Sequence, residues 1–480
     1  MRQHFYQDKS ATVIHFYQDK PVNLDTFIEI IYISPVFGNF QISGGDMERT
    51  ALQQLKAWKE SSGRKPIIIR GARQTGKTWL LKEFGRRFFK ETVYINFENE
   101  PRFKDLFVQD FDVSRINSTI QLFHGKKIDP AETFIIFDEI QAAKGALTSL
   151  KYFCENAPEF YIAAAGSLLG IAIHENQSFP VGKVSFLDLH PLSFSEFLAA
   201  SGKELLLEAL SKRDWGLLAP FHDELLDLLK TYLYVGGLPE VVQKWIDTHD
   251  YFEVRNIQHE ILRSYQADFS KHAPLQQVPR LDMVWESLPA QLAKENKKFV
   301  YGVIREGARA KDFELAIMWL YNCGLILRSH RVSAPRIPLK AYQDMQTFKL
   351  FMVDVGLLGA ASALDAATLI DGNRIMTEFK GALTEQYIMQ ELSTLDLDYI
   401  GYWTNERSSS EVDFIIQNQG KVIPIEVKSG GNLRSRSFTL FCQTFEPETA
   451  VKTSPLPYHE EKNITNLPLY AILTLSKPLV

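Results

Sequence analysis

Residues 66–88 read PIIIRGARQTGKTWLLKEFGRRF, and this stretch decides the fold of the first half of the chain. Its run of isoleucines predicts a buried strand, and the segment after the glycines predicts a helix. Between them, Gly71, Gly76, Lys77 and Thr78 match the pattern GxxxxGK[ST] in the strand–loop–helix setting that the pattern requires. Backbone N–H groups of such a loop, together with the helix N-terminus, bind phosphate oxygens. The stretch therefore predicts a phosphate-binding loop.

The acids that complete such a site follow the segment TFIIFDEIQ. Its apolar run predicts a second buried parallel strand, which ends in Asp138 and Glu139 at the edge where ligands bind. In this arrangement Lys77 reaches the terminal phosphates, while Thr78 and Asp138 ligate Mg²⁺. Glu139 is then the catalytic base that polarises the attacking water. The sequence predicts binding and hydrolysis of ATP with Mg²⁺.

A third apolar strand, YIAAAGS, ends at Ser167. Its position after the acidic strand suits a sensor of the terminal phosphate, and a helix-capping serine is an equal alternative. The residues expected to bind the nucleotide are Gly71, Ala72, Arg73, Gln74, Thr75, Gly76, Lys77, Thr78, Asp138 and Ser167.

Size and composition set limits on the function. A chain of 480 residues with 45% hydrophobic residues is expected to form about three globular domains. The net charge of -5 gives no global basic field, so contact with nucleic acid would need local patches. The cysteines form no paired motif, which favours a reducing compartment. Without a signal peptide or a long apolar segment, the chain is expected to be cytoplasmic and to make no membrane contact.

The sequence from Met47 onward resembles the AAA-type ATPases of archaea and bacteria that carry a C-terminal domain of unknown function. The motifs are GARQTGKT, IIFDEIQ, the AGS end of the next strand, HPLSFSEFL from His190 and YVGGLPEVV from Tyr234. The resemblance implies an ATPase core, a helical lid and a C-terminal region similar to the PD-(D/E)xK nuclease fold. One departure is Lys183, which follows Gly182 where such proteins often carry an arginine. Lysine is a point charge, so no arginine finger is assigned there.

The fold class expected for the chain is α/β. Its predicted parts are a weakly ordered extension (1–46), a P-loop AAA-type core with a parallel sheet (47–204), a helical lid (205–278), a winged-helix-like domain (279–345) and a PD-(D/E)xK nuclease-like α/β domain (346–480). The middle domain is locally basic, which suits DNA contact, but winged helices also pack against proteins. Its basic residues are Lys294, Lys297, Lys298, Arg305, Arg309, Lys311, Arg328 and Arg331.

Near the end of the chain, the segments EVDFIIQ and VIPIEVK flank turn-forming residues and predict an antiparallel hairpin. A turn centred on residues 419–420 places Asp413 opposite Glu426 and Glu411 opposite Lys428, with the four side chains on one face. Opposed carboxylates are unfavourable unless a cation lies between them, which suggests a divalent metal, although a solvated outer face is an equal alternative. The other face, expected in the core, consists of Val412, Phe414, Ile416, Ile423, Ile425 and Val427.

The nuclease resemblance assigns roles to these residues. Nucleases of the PD-(D/E)xK type draw one acid from a helix, an Asp from a strand and an E-x-K from the next strand, and Glu385, Asp413, Glu426 and Lys428 match that order. The carboxylates would hold Mg²⁺, with Asp413 and Glu426 as metal ligands, and Lys428 would stabilise charge at the phosphate. A nuclease fold also persists as a binding module, so an active and an inert domain both stay open.

Two classes of function follow from these patterns. The first is an ATP-driven enzyme that processes DNA through its C-terminal domain. The second is a nucleotide-gated switch or scaffold that binds ATP and a protein partner, or a second copy of itself, without cleaving anything. Lys183 in the place of an arginine favours the second class slightly.

Overall fold

The computed structural model describes residues 48–166, 179–294, 297–366, 377–405 and 410–476. These ranges belong to a compact unit of residues 45–480, so the predicted extension of residues 1–46 lies outside them. In these ranges, no helix combines the length and the apolar character that a bilayer span requires.

The first sheet is parallel throughout its described strand pairs, with the order β2–β3–β4–β1–β5. Its strands are β1 (Ile67–Arg70), β2 (Glu91–Asn96), β3 (Thr133–Asp138), β4 (Tyr161–Ala165) and β5 (Ser185–Asp188). Strand β3 is buried along its whole length, as its apolar sequence predicts. Because the strands are parallel, the ends of β1 and β3 open onto the same edge of the sheet.

Helices cover both faces of this sheet. They are α1 (Thr50–Glu60), α2 (Lys77–Phe88), α3 (Val113–His124) and α4 (Ala146–Asn156), with 3₁₀ turns at Pro101–Phe103 and Ile140–Ala142. Helices α1 and α2 pack with alternate residues of β1 and β3 in one core cluster. Helices α3 and α4 pack with the intervening strand residues in a second cluster. The result is the three-layer architecture expected for a P-loop domain.

A helical region follows the first sheet and includes the residues predicted as a lid, 205–278. Its helices are α5 (Phe194–Ala200), α6 (Glu204–Lys212), α7 (Trp215–Leu218), α8 (His222–Val235), α9 (Pro239–Thr248) and α10 (Tyr251–His272), with a 3₁₀ turn at Ala219–Phe221. The next helices are α11 (Val278–Leu292), α12 (Tyr301–Ile304), α13 (Ala310–Asn322), α14 (Val355–Ala361), α15 (Thr377–Thr394) and α16 (Arg436–Phe445), with 3₁₀ segments at Leu339–Tyr342 and Leu469–Ser476.

The second sheet is mixed and has the order β12–β13–β11–β10–β9–β8–β6–β7. Its strands are β6 (Ile326–Val332), β7 (Gln343–Met352), β8 (Tyr399–Thr404), β9 (Glu411–Asn418), β10 (Lys421–Val427), β11 (Ala450–Ser454), β12 (His459–Glu461) and β13 (Ile464–Pro468). Strand β6 pairs in parallel with β8, so the strands predicted as part of a separate winged-helix-like domain extend the C-terminal sheet. The boundary predicted between residues 345 and 346 falls inside β7.

The hairpin of β9 and β10 has the predicted register. Asn418 pairs with Lys421, and Phe414 pairs with Ile425. One part of the prediction is wrong. Val412 packs with α16 on one face of the sheet, whereas Phe414 packs in the cluster beneath α15 on the other face. The cause is a register shift between β8 and β9 at residues 401–403, because an extra residue in β9 reverses the faces beyond it.

Candidate nucleotide-binding site

The loop between β1 and α2 requires glycine at two positions. Gly71 has a φ of +145°, and a Cβ atom there would lie 2.2 Å from the carbonyl oxygen of Leu189. Gly76 has a φ of +89° and is the N-cap of α2, so no cap side chain competes for the first N–H groups of the helix. These N–H groups and the helix dipole form an anion site at the end of β1.

Lys77 lies in this loop with its ammonium group turned inward. Its Nζ donates to the carbonyl oxygens of Gly71, at 2.9 Å, and of Ala72, at 2.6 Å. Burial lowers the pKa of Lys77 to about 8, although the carboxylates of Glu139 and Asp138 oppose this effect. The terminal phosphates of a nucleotide would give the same ammonium group stronger, anionic acceptors.

Asp138 ends β3 beside the loop and is buried. Its Oδ2 accepts hydrogen bonds from the Oγ1 of Thr78 and from the hydroxyl of Tyr94, each at 2.8 Å. The hydroxyl of Thr78 and the carboxylate of Asp138 are the oxygen donors that a Mg²⁺ ion takes beside bound phosphates. The predicted pair of Mg²⁺ ligands is therefore in direct contact, and it fits the ion.

Glu139 follows at the start of the next turn with a φ of +49°, a conformation that is uncommon for a residue with a side chain. Its backbone N–H donates to the Oδ1 of Asp138 at 3.1 Å. Its Oε2 accepts a hydrogen bond from the Nε2 of Gln141 at 2.6 Å. The carboxylate of Glu139 is thus held by Gln141 within one turn, directly after Asp138.

A buried arginine supports the loop from the side of α1. The guanidinium group of Arg49 donates to the carbonyl oxygen of Thr75 at 3.0 Å and to Glu196 at 3.2 Å. Glu196 also accepts from the backbone of Thr50 and, through the capping box of α5, from the backbone of Ser193. This network joins α1, the phosphate-binding loop and α5, so it fixes the loop relative to the start of the lid.

The other flank of the loop contacts the middle of the chain. Arg73 forms an ion pair with Asp268 of α10, and its carbonyl oxygen accepts a hydrogen bond from Tyr265 at 2.9 Å. Gly324, in the turn between α13 and β6, lies so close that a Cβ atom there would be 3.1 Å from the backbone nitrogen of Ala72. The loop is therefore enclosed by segments that follow the first sheet by many residues.

Two other predicted positions have different outcomes. Ser167, the proposed phosphate sensor, lies outside the described residues. Lys183 forms an ion pair with Glu155 of α4 at 2.9 Å.

The acids predicted for the C-terminal domain are held by lysines. Glu385 of α15 forms an ion pair with the buried Lys297, and its Oε2 lies 3.7 Å from the Nζ of Lys349. The same Nζ lies 2.5 Å from Glu411 of β9. Burial alone would raise the pKa of Glu385, but the charges of Lys297 and Lys349 hold it below its usual value. Burial alone would lower the pKa of Lys349, but Glu411 and Glu385 raise it.

Asp413, Glu426 and Lys428 are arranged differently from Glu385. The Oδ2 of Asp413 accepts a hydrogen bond from the backbone of Val427 at 2.8 Å, and burial together with the charges of Glu385 and Glu426 raises the pKa of Asp413 well above its usual value. Lys428 lies 2.7 Å from one carboxylate oxygen of Glu426, while the other oxygen is buried without a hydrogen-bond partner.

The structure does not assemble the predicted acids as a metal site. In the described part of the chain, no three acidic, histidine or cysteine side chains form a group that could hold a metal ion. The extra residue in β9 breaks the alternation on which the prediction of one shared face relied. Glu426 alternates with Ile425 and Val427, which pack beneath α15, so its side chain leaves the sheet on the other face. Glu385 already has two lysine partners.

Comparisons with protein families agree with the first half of this description. Residues 63–198 match the family model described as an AAA domain. Two domains of unknown function match further along, DUF8612 over residues 226–368 and DUF4143 over residues 380–472. Residues 63–198 are therefore similar to AAA domains. Its later domains match families without a described function, so the winged-helix and nuclease-like readings stay predictions. No curated protein matches the chain.

Similar solved structures share little sequence with the chain. A Walker-type ATPase of Pyrococcus abyssi has 13% identity and a TM-score of 0.41, with 65% of this chain and 94% of that protein covered. The ORC1 protein of Aeropyrum pernix, in complex with DNA, has 14% identity and a TM-score of 0.26, with 65% and 90% covered.

The sequence patterns missed several residues of this site. Tyr94, Arg49, Asp268 and Gly324 all contact the loop or its acid, and none of them belongs to the motif. Only Tyr94 had a signal, because the strand VYINFE carries a polar-tipped aromatic residue beside the acidic strand. The other three are distant in sequence, and no local pattern marks a contact of that kind.

Proposed function

We propose that this protein binds and hydrolyses ATP with Mg²⁺ and that the nucleotide state controls its lid and later domains. The observation that carries the proposal is the contact between Thr78 and Asp138 beside the phosphate-binding loop. Together with Lys77 and the N-terminus of α2, it supplies groups that bind Mg²⁺ and the phosphates in phosphoryl transfer.

Each residue has a separate task in this proposal. The loop backbone and Lys77 bind the phosphates, and Thr78 and Asp138 hold the Mg²⁺ ion, which neutralises charge at the reacting phosphate. Tyr94 fixes the carboxylate of Asp138 through its hydroxyl. Glu139 accepts a proton from the attacking water, which requires its carboxylate to turn from Gln141 toward the phosphate.

Contacts between the loop and the middle of the chain favour a nucleotide-gated switch over an isolated hydrolase. Arg73 contacts α10 through Asp268 and Tyr265, and Ala72 contacts the turn at Gly324. A loop that rearranges around phosphates must move against these partners. If these contacts differ between the nucleotide-bound and nucleotide-free states, the nucleotide can shift the position of a distant element.

The partner that best suits the middle domain is a protein. The exposed face of α13, in the predicted winged-helix-like domain, carries Leu315, Met318 and Tyr321, which are 62%, 43% and 45% exposed. Apolar side chains of this kind favour packing against a protein more than contact with phosphates. The alternative partner is DNA, contacted through Lys311 and the neighbouring basic residues. If this alternative includes an enzymatic activity, Asp413, Glu426 and Lys428 would cleave the DNA.

Two substitutions in the full-length protein test the ATPase proposal. Lys77→Ala removes the ammonium group that binds the phosphates and should weaken ATP binding at least about tenfold. Glu139→Gln should leave binding intact and lower turnover by about 100-fold, because it removes the base alone. Lys56→Ala, an exposed change on α1, is the control. Hydrolysis at the wild-type rate by the Glu139→Gln variant would show that Glu139 is not the base.

The same preparations distinguish the two later functions. Plain DNA is incubated with Mg²⁺ or Mn²⁺, with and without ATP, and both cleavage and retention are measured. The switch proposal expects no cleavage. Cleavage that disappears in an Asp413→Asn variant would establish the nuclease function instead.

A further inference from the structure

The C-terminal domain contains a charged cluster in which three of the four side chains are buried. It consists of Lys297, from the loop after α11, Lys349 of β7, Glu385 of α15 and Glu411 of β9. The side chains of Lys297 and Glu385 are each 10% exposed, and that of Lys349 is completely buried. We call these four residues the lysine–carboxylate lock.

The lock connects parts of the chain that lie far apart in sequence. Both lysines come from the middle of the chain, and both acids come from the region that matches the C-terminal family model. Lys349 contacts both acids, since its Nζ lies 2.5 Å from Glu411 and 3.7 Å from Glu385. The ring of Tyr402 lies against the same ammonium group, at 4.7 Å from the ring centroid.

We propose that the two lysines of this lock take the place of a divalent metal ion, so that Glu385 fixes the middle of the chain to the C-terminal domain and ligates no metal. The two carboxylates and two ammonium groups of the lock balance in charge, and the carboxyl group of Asp413 is the further neighbour that acts on Lys349 and Glu385. A divalent ion added beside both lysines would bring two more positive charges into a mostly buried site. Such an imbalance is costly away from water. The inference is independent of ATP hydrolysis.

Metal binding gives the first test. Binding of Mn²⁺ to the nucleotide-free full-length protein is measured by isothermal titration for the wild type and for Glu385→Gln. The phosphate-binding loop is unchanged between the two, so any difference belongs to Glu385. The proposal expects the same number of bound ions and affinities within about twofold. Loss of a bound ion in Glu385→Gln would overturn it.

Stability gives a second test that does not depend on metal. Lys349→Met leaves the carboxylate of Glu411, whose side chain is 21% exposed, without its partner and removes one of the two lysines beside the buried Glu385, so it should lower the midpoint of thermal unfolding by several degrees. Adding Glu411→Gln to Lys349→Met removes the unpaired charge and should recover a large part of that loss. Lys421→Met, which breaks an exposed pair with Glu448, is the control and should change little.

A further comparison covers the case in which the Lys349→Met protein does not fold. If Lys349→Met fails to fold, Glu411→Gln alone leaves Lys349 with one carboxylate partner and is compared with Glu448→Gln, which breaks the exposed pair. A destabilisation no larger than that of Glu448→Gln would overturn the proposal. So would a double variant that is no more stable than Lys349→Met.

Discussion

The burial of one side chain, Glu391, makes the stability of the folded protein depend on pH. It lies on α15, completely buried, and its Oε1 accepts a hydrogen bond from the backbone of Phe194 at 2.8 Å. Its Oε2 has no hydrogen-bond partner. Burial, reinforced by the charge of Glu196, raises the pKa of Glu391 to about 8. The neutral acid is therefore the form that the fold accommodates.

This pKa predicts a loss of stability as the pH rises. Between pH 4.5, the usual pKa of a glutamate, and about pH 8, the folded protein holds a proton on Glu391 that the unfolded chain has lost. Stability must then fall as the pH rises through that window. Glu391→Gln keeps the amide carbonyl as an acceptor and removes the titration, so its unfolding midpoint should fall less between pH 5 and 8.

Thermal unfolding across this pH range checks the prediction. The difference in the free energy of unfolding between the two ends of the range should be larger in the wild type by on the order of 3 kcal/mol. Glu208→Gln, which changes an exposed acid paired with Lys212, is the control and should follow the wild-type curve. Parallel curves for Glu391→Gln and the wild type would show that Glu391 is ionised in the folded protein.

Single residues also mark the limit of sequence reasoning. Lys77, Thr78 and Asp138 were predicted because the chemistry of phosphate binding fixes their spacing along the chain. Lys297 contacts Glu385 across 88 residues of sequence, so nothing in the local pattern could identify it as a partner. The sequence alone therefore could not distinguish a metal ligand from an ion-paired carboxylate at Glu385.

At the scale of single elements, the turn between α13 and β6 is positioned to sense the phosphate-binding loop. Gly324 in that turn has a φ of +73°, and Gly307, before α13, has a φ of +74°. A Cβ atom at Gly324 would lie 3.1 Å from the backbone nitrogen of Ala72, whereas one at Gly307 would meet nothing within 4 Å. The two glycines share one backbone conformation and differ in what lies beside them.

The two glycines predict different effects on ATP affinity when each is replaced by alanine. Gly324→Ala should weaken ATP binding by about tenfold, because the new methyl group displaces the loop that binds the phosphates. Gly307→Ala carries the same backbone strain, so it should lower stability to a similar degree and leave ATP affinity unchanged. Equal ATP affinities in the two variants, measured by titration calorimetry, would show that this turn does not act on the loop.

The register of the C-terminal hairpin could be predicted from its local sequence, but the face on which each residue lies could not. Its register follows from the turn residues at 419–420, and the prediction of that register is confirmed. The extra residue in β9 arises where β9 pairs with β8, so the hairpin sequence alone carries no sign of it. That single residue moved Val412 to the opposite face of the sheet.

In the whole molecule, the parallel order of the first sheet was expected from the apolar runs of its strands. A division at residue 345 was also predicted, but this position lies inside β7. Strands β6 and β7 join the C-terminal sheet through the pairing of β6 with β8. Pairing between distant strands leaves no periodic signal in either strand.

These joins give the molecule a continuous route from the nucleotide site to its C-terminal sheet. The loop contacts α10 through Asp268 and the turn at Gly324, and that turn leads directly into β6. Strand β7 then carries Lys349 into the lysine–carboxylate lock. We therefore propose that nucleotide binding changes the exchange protection of these segments beyond residues 63–198.

Hydrogen–deuterium exchange of the full-length protein, with and without a slowly hydrolysed ATP analogue and Mg²⁺, tests this effect of the nucleotide. We expect slower exchange in the loop at residues 71–78 and also in residues 262–272 of α10 and 320–328 around the Gly324 turn. The Lys77→Ala variant should show neither change. If protein that demonstrably binds the analogue shows protection only within residues 63–198, the nucleotide does not act on the later segments.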